Sequence, residues 1–90
     1  MTKEEFKNLR LKKRAKIAHQ KKIIETNKQY LADTDYQAIK YFEGVMSESE
    51  FAPIKVLRAE ARAKINVAEV ELDKLKGELD LLLKTEVEPE

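Results

Sequence analysis

The sequence contains no cysteine and no tryptophan, and only two glycines, two prolines and one histidine. Without cysteine there is no disulfide framework, no thiolate metal site and no thiol nucleophile, a composition suited to a reducing compartment. Two isolated glycines cannot form a phosphate-cradling loop. Gly and Pro are too sparse for a turn-rich sheet protein. A chain that is 39% charged and 42% hydrophobic fits long amphipathic helices instead. The longest aliphatic run, Leu81-Leu82-Leu83, is far too short to span a bilayer. The opening MTKEEFKNLR lacks the apolar stretch of a signal peptide. These features predict a soluble intracellular chain of one domain, residues 1–90.

The net charge of +1 is unevenly distributed. Residues 1–31 hold ten Lys/Arg against three acids, residues 32–65 five against six, and residues 66–90 three against eight. A basic front and an acidic back attract each other within a chain or between copies, or serve separate partners. Folding back antiparallel sets residues 7–22 beside residues 69–80 and satisfies both.

Three capping signals punctuate the chain. Thr2 with Glu5 predicts a helix from about residue 3 to residue 31, carrying Phe6, Leu9, Ile17, Ile24 and Leu31, with Ala18, Ile23 and Tyr30 widening the stripe. Its apolar area per turn is small, so it needs a partner. Thr34 with Gln37 predicts a break and a short helix over about 35–43, ended by Gly44. Ser47 with Glu50 is a third box, but Pro53 follows six residues later. A turn over 44–52 is therefore expected, with a single helical turn at 48–52 and a restart at Pro53. From there a long helix runs to about residue 84, followed by a frayed acidic tail, 85–90.

That last helix carries a heptad seam of Ile54, Ala61, Ile65, Ala68, Leu72, Leu75, Leu79 and Leu82, with Arg58 as its one polar intruder. Leu57, Val67, Val70, Leu81 and Leu83 lie off the seam, so the helix is expected to meet more than one neighbour. The fold class that follows is all-α: two long helices joined by a short helix-turn corner, as an antiparallel hairpin or coiled-coil bundle that is expected to self-associate through this leucine seam. Tyr36, Ile39, Phe42 and Phe51 are expected to fill the corner as its core rather than line a ligand pocket.

No constellation of side chains supports catalysis. His19 has no second histidine one turn away, and Ser47 and Ser49 have no histidine near them in the sequence. The acids Glu69, Asp73, Glu78 and Asp80 are interleaved with lysines, as on a solvated helix face. No metal, cofactor or small-molecule substrate is implied. The basic run offers an alternative function. Arg10, Lys12, Lys13, Arg14, Lys16, Lys21 and Lys22 are candidate polyanion contacts, and a helix bearing them can neutralise nucleic-acid phosphates. The apolar stripe of this helix is too thin for stable insertion into a membrane surface.

The stretch LADTDYQAIKYFEGVMSESEFAPIKVLRAEARAKIN, residues 31–66, resembles a segment found in small proteins encoded in bacteriophage and prophage structural modules, often near tail genes. The shared pattern comprises Thr34, Asp35, Tyr36, Ile39, Lys40, Glu43 and Gly44, then Ser47, Glu50, Phe51, Ala52 and Pro53, then Arg58, Arg62, Ile65 and Asn66. The chain departs from it at Ala61, where the family often has tryptophan. The basic first helix and the leucine seam lie outside the resemblance. It implies a phage-derived origin, synthesis in the cytoplasm of a bacterial host and incorporation in the virion or a part in tail assembly, with partners that are copies of itself or other phage structural proteins. It implies no reaction.

Overall fold

The computed structural model describes residues 1–84 and contains two helices, α1 (Lys3–Phe42) and α2 (Glu48–Leu83), packed antiparallel as a hairpin. The rod measures 68 × 15 × 15 Å, with a radius of gyration of 20.1 Å, against about 12 Å for a compact chain of this length. The acidic tail, 85–90, lies outside the described residues.

Both helices start at the N-cap residues read from the sequence, Thr2 and Ser47, with the full reciprocal box formed at Ser47. Thr2 Oγ1 accepts from the Glu5 amide at 3.1 Å, and Ser47 Oγ accepts from the Glu50 amide at 3.2 Å while the Ser47 amide donates to the Glu50 carboxylate at 3.3 Å. The end of α1 is equally specified. Gly44 takes a φ of +77°, the Gly44 amide donates to the Tyr41 carbonyl and the Val45 amide to the Lys40 carbonyl. This pair of bonds is a Schellman motif, which needs a left-handed residue after the last helical turn.

The middle boundaries differ from expectation. α1 does not stop at Leu31, and there is no separate helix over 35–43, because Thr34 does not act as a cap. Its hydroxyl donates to the Tyr30 carbonyl at 2.8 Å, one turn back, as Ser and Thr do inside a continuous helix. Gln29 also bridges to Asp33 across the expected break, at 2.7 Å. The expected 44–52 turn is likewise shorter, since α2 begins at Glu48 and runs through Pro53. Proline there removes the bond to one carbonyl, that of Ser49, on an exposed residue of the second turn. Water can satisfy that carbonyl, so the ring does not force a restart.

Gly77 lies inside α2, and a Cβ built there meets nothing within 4 Å. No close approach within the chain calls for glycine. Gly77→Ala is therefore expected to stabilise the hairpin by about 1 kcal/mol, since glycine is the costlier residue in a helix interior. Urea denaturation at concentrations where the chain is monomeric checks this.

Candidate interaction surfaces

Two contacts fix the register of the hairpin. Tyr41 stacks on Phe51 with ring centroids 4.6 Å apart, and Arg58 Nη1 donates to Thr34 Oγ1 at 2.6 Å. Stepping along the antiparallel pair from these levels sets Leu31 beside Ala61, Ile24 beside Ala68 and Ile17 beside Leu75. The α2 seam accordingly faces α1 of the same chain. Ala61, Ile65, Ala68 and Leu75 are buried, and Ile54, Leu72, Leu79 and Leu82 are half-buried.

The opposing stripe on α1 is half polar. Phe6, Lys13, Gln20, Asn27, Thr34 and Tyr41 recur at strict sevens, interleaved with Arg10, Ile17, Ile24, Leu31 and Ala38, and all of these are buried or half-buried. The apolar-only reading of α1 missed this inner stripe. Counting every residue at alternating spacings of three and four, whatever its polarity, would have found it. Some of the polar members find partners: Asn27 donates to the Ile23 carbonyl at 2.8 Å, and Lys13 Nζ donates to Glu78 at 2.8 Å, whereas Arg10 Nε is buried with no hydrogen-bond partner among the described residues.

Arg58 is the most connected of these groups. Its guanidinium donates to the Leu31 carbonyl at 2.8 Å, to Thr34 and to the Asp35 carboxylate at 3.0 Å. Thr34, Asp35 and Arg58 all belong to the resembling segment, and the fold joins them across the hairpin.

The candidate polyanion contacts divide. Arg10 is half-buried, 5.6 Å from the Phe6 ring centroid, and Lys13 is tied to Glu78. Lys12, Arg14, Lys16, Lys21 and Lys22 are exposed but spread around α1 rather than lining one stripe. The Lys13–Glu78 bond also shows that the basic run lies beside the acidic part of α2.

Lys13 holds the Glu78 carboxyl below the ordinary glutamate value, and hydrogen bonds from Ser47 do the same for Glu50. The folded carboxylates thus release their protons more readily than the unfolded ones. Their contribution to stability is complete at neutral pH, declines as the pH falls through the ordinary value of 4.5, and is gone below the folded values. Glu78→Gln is expected to flatten the acid limb of the stability curve below that pH. Urea midpoints taken across the acid range measure it, and an unchanged limb would rule out the Lys13 contact as its source.

The corner is not the aromatic core that was expected. Phe51 is 7% exposed beneath Tyr41, but Tyr36 is 66%, Ile39 53% and Phe42 86% exposed. Because α1 continues unbroken through this region, these three project from its outer side. The Lys40 ammonium sits 4.8 Å from the Tyr36 ring centroid.

A further apolar surface lies on the back of α2, while Leu11, Val45, Leu57 and Leu83 are exposed elsewhere. Val56, Ala63, Val67, Val70, Gly77 and Leu81 follow spacings of seven, four, three, seven and four, a second heptad stripe opposite the one that faces α1. Val56, Val67, Val70 and Leu81 are between 57% and 72% exposed. Beside Val67, a groove of about 560 Å³ between the helices is lined by Ile23, Ala63, Val67 and Ala68 among others.

Among the described residues no three His, Asp or Glu side chains gather closely enough to hold a metal ion. No helix among them is long and apolar enough to cross a membrane. Comparison with protein-family models, with curated proteins and with solved structures finds no match to this chain.

Proposed function

We propose that this chain is a non-enzymatic interaction protein: a helical rod whose work is to bind other helices, copies of itself first. The observation that carries this reading is the double heptad patterning of α2. One stripe is covered by α1, and the other leaves three valines largely exposed at helix-packing spacing. A face exposed at Val56, Val67, Val70 and Leu81 and interrupted by Glu60 and Lys74 favours association on so small a molecule. The surface for self-association is then the back of α2 rather than the leucine seam, which is occupied within the hairpin. The resemblance over residues 31–66 supports placing this activity in a phage virion or in tail assembly, with synthesis in the host cytoplasm.

Sedimentation and light scattering over a range of concentrations test the reading. Concentration-dependent mass above the 10.5 kDa of one chain is expected, and a clean monomer at high concentration would overturn self-association. Nucleic-acid binding by α1 is the weaker reading. Its basic run is split between packing, pairing with Glu78 and a scattered exposed set. Titration of duplex and single-stranded DNA at two salt concentrations separates the two, because phosphate binding must weaken steeply with salt.

A further inference from the structure

The back stripe of α2 combines apolar positions with two charged ones. Between Val56 and Leu81 the same face carries Glu60 and Lys74 at the missing heptad steps. The helix is also divided in charge, with four basic residues against one acid between 55 and 64, and five acids against two lysines between 69 and 80. Whatever covers this face must therefore present apolar groups at both ends, the opposite charge order, and a residue that explains Gly77.

We infer that the occupant is a second copy of the chain, laid antiparallel, α2 against α2, with Val67 of each copy opposite Val70 of the other. This inference rests on the self-association proposed above and specifies its partner, face and direction. In an antiparallel heptad pair each layer joins one position to the alternate position of the other helix. Centred between Val67 and Val70, Val56 meets Leu81 of the second copy, Ala63 meets Lys74, and Gly77 meets Glu60. Each long side chain is thereby set against the smallest residue available.

Glu60 of one copy and Lys74 of the other then lie one layer apart with opposite charge. On the flank, Lys64 lies near Glu71 of the second copy. A parallel pair would instead set Glu60 on Glu60, Lys74 on Lys74 and the acidic halves together, which like-charge repulsion opposes. Gly77 also finds its reason in this arrangement. A Cβ there would meet nothing within 4 Å, and in this pairing the missing side chain leaves room for Glu60 of the second copy. The groove beside Val67 extends the covered surface toward Ile23 of α1.

Because the chain has no cysteine, single cysteines report the pairing directly. Full-length Val56→Cys and Leu81→Cys proteins are oxidised separately and as a mixture, then resolved on a non-reducing gel. The expected result is a disulfide-linked dimer from the mixture and none above background from either protein alone. Association should be lost in Val70→Asp with the helical circular dichroism retained, because Val70 is 72% exposed. It should weaken in Lys74→Glu and return in the Glu60→Lys/Lys74→Glu double variant.

A dimer linked by Val56→Cys alone would overturn the antiparallel order. So would an associating wild-type chain whose mixture gives no link. A Val70→Asp variant that still associates would overturn the face. A wild type that scatters as a monomer would overturn self-association itself, so the two levels of the proposal fail by different measurements.

Discussion

Leu75→Ala is expected to cost on the order of 2–5 kcal/mol of stability, the range for emptying a buried leucine site. Leu75 is 3% exposed, and no side chain among the described residues is less than 2% exposed. A two-helix core has one layer of contact and no second sheet or helix from which to refill a cavity. The loss is comparable to the whole stability of a small chain, roughly 5 kcal/mol. The variant should therefore show reduced helicity at 25 °C and a much lower midpoint in urea. Leu81→Ala, at a site 69% exposed, should leave the hairpin's own stability nearly unchanged when measured in dilute solution. Equal losses at the two sites would contradict the assignment of inner and outer faces.

Arg58→Ala is the second large effect, expected at about 2–3 kcal/mol, since hydrogen bonds from a charged group are the strong ones. The guanidinium holds α1 at three points: the Leu31 carbonyl, Thr34 and Asp35. The Asp35 contribution is the smallest of the three, because that carboxylate is 61% exposed and its ion pair is screened by solvent. The aliphatic stem of Arg58 also packs across the seam, so Arg58→Met should recover part of the loss by restoring apolar contact. With Thr34→Val, a double-mutant cycle isolates the polar term: the Arg58→Met/Thr34→Val pair should lose less than the two single changes together. Additive losses would show that the two groups do not depend on each other.

Caps, heptads and charge were legible because their physics is local or periodic. Thr2, Gly44 and Ser47 act on backbone groups within a few residues. The Ile54–Leu82 seam repeats often enough to be read without a partner. The opposing charges of residues 7–22 and 69–80 predict the antiparallel fold that the Lys13–Glu78 bond displays. The reading went astray where two outcomes share one local signature. A threonine followed three residues later by glutamine caps one helix as well as it sits inside another.

The partner that sequence proximity does not reveal at Thr34 is Arg58, twenty-four residues away. That side chain supplies a donor to a hydroxyl that already donates to Tyr30. Once α1 continued through Thr34, its outer side carried Tyr36, Ile39 and Phe42 into solvent. The apolar residues that composition assigns to a core were thereby moved to the surface.

The sequence by itself determined that the protein is helical, that Thr2 and Ser47 cap helices, that α2 is two-faced, and that the chain folds back on itself. Those properties follow from hydrogen-bond capping, a repeat of three and four, and the sign of charge. Only the tertiary structure decided which α2 face is spent within the chain and which is left outside. It also decided that polar Lys13, Gln20, Asn27 and Thr34 belong to the inner stripe. The physical reason is that burial depends on what stands opposite a residue, and that partner is set by the register of two helices distant in sequence.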